Sequence, residues 1–561
     1  MNKRMLARRR KSVHKRLCLV LLLIVAAILL FSIVDAIRTV NYKRHYGTDK
    51  VMYINIFENT EAEASDIKVE GGEIYLPFEL VKEYVDGNIY RTEEKDRIII
   101  TTNDSVIRMR SESNNAYVNG SPMELNMPVY DADFLPASVL EQFYPVKFNY
   151  DRDHNSVTMS RTDNHILKGT ISKKTRLKYE PKNSSLNVEK LKKGTVVTAL
   201  EQGADYTLVS TENGACGYVK TKAIADIATI PSQVSAPEPK QLWKCTDGKA
   251  NVVFDQITNA SANTNVDRMP IYDGVDVVCT TWFSFENTNG DIRNIADRAY
   301  VDRLHANDIK VWGLITDNFD GAISHAVLSD ADTREYVVKQ LLAYVSLYDL
   351  DGINIDFESV PKDDGDAFVQ FIRELAPMLH NEGVTLSADF FVPRSWTYHY
   401  NRGKCAEVLD YAIVMGYDQH YGGSESAGSN AEIGWSKEAI TETMAQGVPK
   451  EKLLLGIPFY TRVWTENSST GELSQTAMGM EKAKSFMEEK GGGFSLDKAS
   501  GQNYSQVTEG ELTYKCWLED SYSVRERLRL ANEYDIAGVA AWKNGMETED
   551  IWGILKNEIK G

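Results

Sequence analysis

The sequence predicts an α/β protein whose C-terminal part is a (β/α)8 barrel, preceded by an N-terminal transmembrane helix and two small β-rich domains. Beyond residue 249, eight apolar runs alternate with amphipathic stretches. Between residues 51 and 227 the apolar residues fall instead in short alternating segments separated by turn residues, a pattern typical of β-rich domains. Residues 17–34 are strongly apolar and carry no charge. A chain of 561 residues is also too long for one compact core.

The barrel is predicted from the eight apolar runs, because parallel strands are buried on both faces and are therefore almost continuously apolar. Amphipathic helical stretches, such as residues 333–348 and 367–380, lie between most of them. An open doubly wound sheet is the alternative, but no glycine-rich nucleotide loop follows the first run. Residues 461–516 are too long for an ordinary loop, so we expect a small subdomain beside the barrel mouth. The runs are residues 252–254, 275–282, 309–315, 352–357, 384–391, 411–417, 452–459 and 536–542.

The N-terminal apolar segment predicts a membrane anchor at residues 17–37 behind a basic cytoplasmic tail at residues 1–16. Its length suits a bilayer-spanning helix, and its basic flank places the N-terminus inside. A cleaved signal peptide is the alternative, although signal peptides usually have a shorter apolar region. We expect a single-pass protein of the cell membrane whose barrel lies outside the cytoplasm.

The charge distribution excludes nucleic acid as a partner. Eight basic residues lie within residues 3–16, but beyond residue 37 the chain holds 55 Lys and Arg against 79 Asp and Glu. Phosphate backbones require clustered cations. The cysteines are far apart and follow no metal-ligand or paired spacing, so we expect buried single thiols and no bound metal.

Two resemblances concern the β-rich region. Residues 50–163 resemble the stalk-like domain named after the N-terminal region of copper amine oxidases; no copper-ligand set accompanies the match, so it implies a spacer. Residues 166–228 resemble the bacterial SH3 fold through Lys193-Gly-Thr-Val-Val-Thr-Ala and Asn213-Gly-Ala-Cys-Gly-Tyr-Val-Lys. Such domains either bind cell-wall peptides or act as spacers.

A proline-containing linker is expected at residues 229–244. Two short helices are expected at residues 78–84 and 137–143.

The residues that predict chemistry lie in Leu350-Asp-Gly-Ile-Asn-Ile-Asp-Phe-Glu-Ser. Side chains alternate between the two faces of a strand, so Asn354, Asp356 and Glu358 point one way and the apolar residues between them point the other. In a barrel the polar set lines the interior, and Glu358 lies at the C-terminal end of the strand, where barrel enzymes place catalysis. We expect an ionised Asp356 to raise the pKa of Glu358, keeping a proton available near neutral pH.

The same run resembles the signature of glycoside hydrolase family 18, Asp-Gly-x-Asp-x-Asp-x-Glu, and the likeness extends over residues 245–561. Met415-Gly-Tyr-Asp418 is similar to the family's Met-x-Tyr-Asp, and Gly456-Ile-Pro-Phe-Tyr460 with Arg462 and Trp464 is similar to its seventh-strand motif. Trp542 matches the tryptophan beneath the sugar. The resemblance implies the catalytic residues Glu358, Asp356 and Tyr417 and the substrate-binding residues Asn354, Met415, Asp418, Arg462 and Trp542.

The resemblance also implies a substrate-assisted, retaining mechanism without cofactor or metal. Glu358 protonates the leaving oxygen, and the 2-acetamido oxygen of the substrate attacks the anomeric carbon. Asp356 orients the acetamido group, Tyr417 hydrogen-bonds to it, and Glu358 then activates the incoming water. The substrate must therefore carry an N-acetyl group at C2, as chitin and peptidoglycan do, and β-1,4 linkages are the expected target.

Two departures from the family pattern concern the third and fourth strands. Asn354 stands where the family has an Asp that shares a proton with the next one, so we expect Asp356 to have one fewer titrating neighbour. The third strand, Val311-Trp-Gly-Leu-Ile-Thr, lacks the Ser-x-Gly-Gly common in chitinases. Both departures resemble the branch of bacterial spore-cortex and cell-wall lytic enzymes, which favours peptidoglycan over chitin.

Other interpretations remain open at this stage. Trp282, Trp312, Trp396 and Trp435 are candidate sugar platforms, although most tryptophans are simply packed. A barrel that has lost catalysis would act as a sugar-binding lectin in the cell envelope, but such proteins usually lose the acid that Glu358 supplies here. A structural tether formed by the two N-terminal domains is compatible with either.

Overall fold

The structure, a computed structural model, forms two compact units, which we describe separately. The first comprises residues 1–100 and 107–238, and the second comprises residues 101–106 and 239–561. Most of the expected linker at residues 229–244 lies outside the described part of the chain. The structure describes residues 3–46, 52–55, 60–63, 67–129, 133–152, 155–162, 166–230, 242–268 and 274–560.

The N-terminal apolar segment lies in one helix, Lys3–Tyr46. Its stretch Val13–Asn41 is long and apolar enough to cross a bilayer. The side chains of residues 17–34 are exposed, and so large an apolar surface is unfavourable in water. The predicted N-terminal helix is therefore present, and its composition suits a lipid environment.

The region that follows is β-rich, as predicted. Its three sheets enclose an apolar core that includes Leu76, Ile99 and Leu140. The two short helices expected from the sequence are present at Phe78–Tyr84 and Ala137–Phe143. The strands are Met52–Asn55, Thr60–Glu63, Lys68–Glu70, Glu73–Pro77, Tyr90–Arg91, Arg97–Thr101, Val106–Arg110, Asn115–Val118, Ser121–Glu124, Phe134–Pro136, Val146–Asp151 and Ser156–Arg161.

A separate seven-stranded sheet spans residues 166–230 and has its own small core around Leu177, Val197 and Val209. All of its pairings are antiparallel. The SH3-like interpretation of this region stays a prediction. The strands are Ile166–Ile171, Thr175–Lys178, Asn187–Leu191, Val196–Gln202, Tyr206–Thr211, Cys216–Lys220 and Ile224–Ile230, with a 3-10 turn at Thr221–Ala223.

The second unit contains the predicted (β/α)8 barrel. Each of its eight parallel strands pairs with the next, and the first pairs with both the second and the eighth, which closes the sheet. All eight predicted runs coincide with barrel strands, so the predicted fold class is confirmed. In chain order, the barrel strands are Ala250–Asp255, Val277–Phe285, Lys310–Thr316, Gly352–Asp356, Thr385–Phe391, Tyr411–Met415, Leu453–Pro458 and Gly538–Trp542.

Helices cover the outside of the barrel. They bury apolar residues from the outer faces of the strands in one large core, and each fully buried aliphatic or aromatic side chain contributes about 1.5–3 kcal/mol. The α-helices are Arg298–His305, Gly321–Ser329, Ala331–Tyr348, Gly365–Glu382, Arg402–Ala406, Ile433–Ala445, Met480–Glu489, Ser521–Glu533 and Asp550–Ile559, and the 3-10 helices are Ala260–Arg268, Lys362–Asp364, Ser395–Tyr400 and Lys450–Lys452.

The segment expected to form a subdomain contains a five-stranded antiparallel sheet and the helix Met480–Glu489. Its small core includes Val463, Ala483 and Met487. A short strand, Ile292–Asn294, extends the barrel sheet beside the end of the second strand. The strands of the subdomain are Tyr460–Asn467, Leu473–Gly479, Ser495–Asp497, Gln502–Glu509 and Leu512–Leu518.

The fourth barrel strand has the alternation that the sequence predicts. Ile353, Ile355 and Phe357 are at most 1% exposed and pack in the core between strands and helices. The ring of Phe357 stacks on that of Phe371, with centroids 5.7 Å apart. The polar residues of the strand therefore face the barrel interior.

Candidate active site

A cavity of about 930 Å³ opens at the C-terminal ends of the barrel strands. Nearly all of the predicted site residues line it, although they come from four different strands or the loops that follow them. The exception is Asn354, which is fully buried below the cavity. The lining includes Asp356, Glu358, Met415, Tyr417, Asp418, Arg462 and Trp542, together with Asp389, which the sequence analysis did not select.

Asn354 connects the fourth and fifth strands inside the barrel. Its amide nitrogen donates to Asp389 Oδ2 at 2.7 Å, and the Ser387 hydroxyl donates to its Oδ1 at 2.7 Å. A buried amide is tolerated only when it is hydrogen-bonded, and here both ends are satisfied. Asn354 therefore supports the cavity from below.

Glu358 has the raised pKa that the sequence analysis expected, but for a different first cause. Burial raises its pKa to about 7, with further contributions from the carboxyl groups of Asp317 and Asp418. The cause expected from the sequence is an ionised Asp356. Burial raises the pKa of Asp356 itself well above its usual value, helped by Asp389, Glu358 and Asp317. A group held neutral in this way exerts little repulsion, so burial dominates the pKa shift of Glu358.

Asp317 holds the backbone at Glu358 and was missed by the sequence analysis. Its Oδ1 accepts from the Glu358 amide at 3.3 Å, and its Oδ2 accepts from the Ser359 amide at 2.8 Å and the Ser324 hydroxyl at 2.7 Å. Burial raises the pKa of this fully buried carboxyl. Its place directly after the third strand is the signal that could have identified it.

Asp389 corrects the expectation that Asp356 has one fewer titrating neighbour. It lies on the inner face of the fifth strand and is 5% exposed. Burial raises its pKa, while the hydrogen bond from Asn354 stabilises the anion and acts in the opposite direction. The signal in the sequence was the alternation of Ser387 and Asp389 with apolar neighbours. The carboxyl missing from position 354 has a counterpart on the adjacent strand.

Tyr417 presents its hydroxyl to the cavity. Within the described residues this hydroxyl makes no hydrogen bond, and burial raises the pKa of Tyr417 well above its usual value, so the group stays a neutral donor. Its ring meets that of Tyr460 edge-on, with centroids 6.2 Å apart. A Cβ added at Gly456 would lie 3.2 Å from the Tyr417 ring, so a glycine there leaves room for the tyrosine.

Asp418 joins the sixth strand to the subdomain. Its backbone is left-handed, with φ of +56°, and its Oδ1 accepts from the Tyr460 hydroxyl at 2.5 Å and from the Arg462 guanidinium. This pairing is the physical link between two motifs that are more than forty residues apart in the sequence. Met415 lines the cavity from the end of the same strand.

The candidate tryptophan platforms separate into two groups. Trp542 lines the floor of the cavity, with its ring 5.5 Å from that of Phe254. Trp396 lines the rim and is 64% exposed, and Trp435 lines the cavity beneath the Arg394 guanidinium. Trp282 borders the cavity, but both Trp282 and Trp312 are at most 1% exposed and are packing residues. Trp396 and Trp435 thus remain candidates for sugar contact.

Within the described part of the chain, three residues have metal-ligand geometry, and they lie away from the cavity. Possible ligand atoms of Cys245, Asp247 and Asp276 lie within 4.8 Å of one another. The Lys560 ammonium contacts all three, at 3.1 Å from Cys245 Sγ and 2.6 Å from Asp276 Oδ2. This cation already compensates part of the negative charge of the two carboxylates.

A cavity with a carboxyl group whose pKa is about 7, a second buried carboxyl and a tyrosine hydroxyl is suited to acid-catalysed hydrolysis. The fold and this site define a glycoside hydrolase. Residues 250–547, more than half of the chain, match the family described as glycosyl hydrolases family 18. The chain belongs to this family.

Two curated relatives are similar to the barrel. A glycosylase of Bacillus subtilis (strain 168), YvbX, is 26% identical over 302 residues, which cover 51% of this chain and 85% of that protein. The cortical fragment-lytic enzyme of the same organism is 22% identical over 248 residues, which cover 43% of this chain and only 57% of that protein.

One solved structure and a second protein family are also similar to parts of this chain. The spore cortex-lytic enzyme SleL of Bacillus cereus has the same fold, with a TM-score of 0.51 and 20% identity over 56% of this chain and 76% of that chain. Residues 58–198 match the copper amine oxidase N-terminal domain. This match supports the predicted stalk domain and runs past the expected boundary at residue 163.

Proposed function

We propose that this chain is a membrane-anchored, extracytoplasmic glycosidase that hydrolyses β-1,4 linkages in N-acetylglucosamine-containing polysaccharide, with peptidoglycan favoured over chitin. The observation that carries the proposal is the position of Glu358, at the centre of the cleft with a pKa of about 7. In this proposal residues 50–163 form the stalk, and residues 166–228 form an SH3-like module that contacts cell-wall peptide.

Glu358 acts first as an acid and then as a base. Within the described residues its carboxyl group makes no hydrogen bond to another side chain, so it is available to the glycosidic oxygen. It donates its proton as the bond to the anomeric carbon breaks, and the acetamido oxygen of the substrate closes an oxazolinium ring on that carbon. The resulting carboxylate then takes a proton from the water that opens the ring.

Asp356 and Tyr417 hold the acetamido group during these steps. The anion of Asp356 accepts a hydrogen bond from the acetamido N–H, which gains positive charge as the ring forms. The Tyr417 hydroxyl donates a hydrogen bond to the acetamido oxygen. It can do so because its raised pKa keeps the hydroxyl protonated at the working pH. Fixing the nucleophile close to the anomeric carbon contributes to the rate by removing the entropy cost of bringing it there.

Peptidoglycan is favoured by the similarity to a cortical fragment-lytic enzyme and by one cation at the cleft. Muramic acid differs from N-acetylglucosamine by a lactyl ether, whose carboxyl group is a free carboxylate wherever the strand carries no stem peptide. Arg293 lines the cavity from the short strand Ile292–Asn294. Its guanidinium forms no salt bridge within the described part of the chain, and its one hydrogen bond, to the Thr258 carbonyl, is 3.4 Å long.

Digestion of purified peptidoglycan and of chitin, followed by mass spectrometry of the products, tests the proposal. We expect fragments of peptidoglycan with N-acetylglucosamine at the new reducing end and slower release from chitin. Faster cleavage of chitin would reverse the substrate preference. Binding of both polymers without cleavage of either would contradict the proposed reaction.

Replacing Arg293 by glutamine is expected to lower kcat/KM on peptidoglycan strands by up to about fivefold, because an exposed ion pair contributes about 0.2–1 kcal/mol. Cleavage of neutral chitooligosaccharides should not change. Arg298→Gln is the matched control, because it removes an exposed arginine that does not line the cavity. Equal losses on strands with free and with amidated lactyl carboxylates would exclude carboxylate recognition by Arg293.

The anchor proposal predicts that the mature protein keeps its apolar helix. The full chain should sediment with membranes and resist extraction by high salt, because burial of a long apolar segment does not depend on ionic strength. N-terminal sequencing of the protein from cells is the measurement. A mature N-terminus at or soon after Ala36 would contradict the proposal and indicate a secreted enzyme.

A further inference from the structure

Asp389 is a buried carboxyl group at the cleft for which the proposed mechanism has no role. Its Oδ2 accepts the hydrogen bond from Asn354, but its Oδ1 is buried and has no hydrogen-bond partner within the described residues. An ionised carboxylate with one oxygen unsatisfied in such a place is costly. The free oxygen is therefore a site where a proton would relieve the cost of burial.

The register of the strands places Asp389 beside Asp356. Asn354 lies opposite Ser387, and Ile355 lies opposite Ala388. The next step in this parallel register pairs Asp356 with Asp389. Adjacent strands lie about 4.8 Å apart, and both side chains line the same cavity. Two carboxyl groups thus lie next to each other, directly above the amide of Asn354.

No cation compensates this pair. Within the described part of the chain Asp356 and Asp389 form no salt bridge, and no cation contributes to the pKa shift of either group. The other titratable groups near Asp389 are Glu358, the Tyr417 hydroxyl and the buried Cys279 thiol. Every one of these is neutral or negative near neutral pH. Two carboxyl groups in such surroundings cannot both ionise, so they share a proton.

We propose that Asp389 is the proton-sharing partner of Asp356, supplying from the fifth strand the carboxyl group that Asn354 lacks. The proposal rests on the proposed function, in which Asp356 must become an anion when the acetamido group attacks. The pair holds one proton, which lies on Asp356 in the resting enzyme, passes to Asp389 Oδ1 when the acetamido group attacks, and returns when water opens the ring. The total charge of the pair stays at −1 throughout.

Asp389 is therefore a positioning residue, and its effect is exerted through Asp356. The hydrogen bond from Asn354 to Oδ2 leaves Oδ1 as the oxygen that takes the proton. An asparagine at position 354 fits this arrangement, because its amide donates to Asp389 without adding a third carboxyl group.

Asp389→Asn is expected to lower kcat on a soluble N-acetylated oligosaccharide by a factor on the order of 10², the lower range for loss of a proton-transfer group. The acid limb of the rate–pH profile should move to lower pH, because Asp356 loses a like-charged neighbour. The double variant Asn354→Asp/Asp389→Asn moves the carboxyl group back to the fourth strand and should recover much of the activity. Asp364→Asn removes a buried carboxyl outside the cavity and serves as the control.

The same variants separate this proposal from the proposed function. Carbon-13 NMR titration of labelled aspartate carboxyl groups follows the proton without requiring turnover. We expect two linked steps for the pair in the wild type and one in Asp389→Asn. A wild type that shows the linked steps but cleaves no N-acetylated glycan would contradict the function alone. Unlinked titration, an unchanged pH profile in Asp389→Asn, or a double variant no better than the single one would overturn the role of Asp389.

Discussion

Glu358→Gln is expected to lower turnover by a factor on the order of 10²–10⁴, the range for loss of a general acid. Glutamine has nearly the same shape as glutamate but no transferable proton. Because the Glu358 side chain makes no hydrogen bond within the described residues, the exchange leaves no partner unsatisfied. The affinity for N-acetylated oligosaccharides and the melting temperature should therefore stay close to those of the wild type.

Comparing substrates with different leaving groups tests the acid role of Glu358 more sharply than turnover of one substrate alone. A substrate that releases an acidic phenol needs less help from an acid than one that releases a sugar alcohol. Glu358→Gln should therefore lose less activity in the bond-breaking step on an aryl glycoside than on an unmodified oligosaccharide. Equal activity of the variant and the wild type would remove Glu358 from the mechanism, and equal losses on both substrates would indicate a binding role.

The wild-type rate–pH profile is expected to fall as the pH rises through about 7, where Glu358 loses its proton. The direction follows from the acid role, because only the protonated carboxyl group can protonate the leaving oxygen. The fall should be absent in Glu358→Gln, whose residual activity has no such titrating group. An alkaline limb that persists in the variant would assign this pKa to another residue.

The largest effect on stability is expected at a buried ion pair beside the cleft. Arg527 is 1% exposed and its Nη1 lies 2.6 Å from Glu519 Oε2, while Glu519 is fully buried. The Gln502 amide and the Ser523 hydroxyl also donate to this carboxylate, both at 2.8 Å. The guanidinium reaches Ser436 in the helix Ile433–Ala445, so the network ties this helix to the subdomain.

Arg527→Met should destabilise the barrel by about 3–5 kcal/mol, because it leaves an uncompensated buried carboxylate. All nine tryptophans lie between residues 243 and 552, so tryptophan fluorescence follows unfolding of the second unit. Arg529→Met is the control, since it removes an exposed arginine from the same helix, and it should change stability by less than about 0.5 kcal/mol.

A double variant distinguishes the lost pair from lost packing. Arg527→Met combined with Glu519→Gln replaces the stranded anion by a neutral group that still accepts from Gln502 and Ser523. It should recover a large part of the stability. If the double variant is as unstable as Arg527→Met, the arginine contributes through packing, and the ion-pair explanation is wrong.

Much of the fold was predictable because the signals are local. Each barrel strand is a short run of apolar residues, and the fourth strand alternates strictly enough to assign Asn354 and Glu358 to the inner face. The two short helices of the first unit were equally clear. The boundaries of the small domains were not, because apolar runs in β-rich regions do not mark where one sheet ends and the next begins.

The sequence alone therefore predicted the barrel, the position of Glu358 at the end of its fourth strand, and the motif residues around the cleft. Tertiary structure alone decided that Asp317 braces Glu358 and that Asp389 stands beside Asp356. Those residues are more than thirty positions from the groups they contact, and the contacts exist because closure of the barrel sets the register between adjacent strands. The pKa of Glu358 was decided in the same way, since burial, its main cause, is created by all of the strands together.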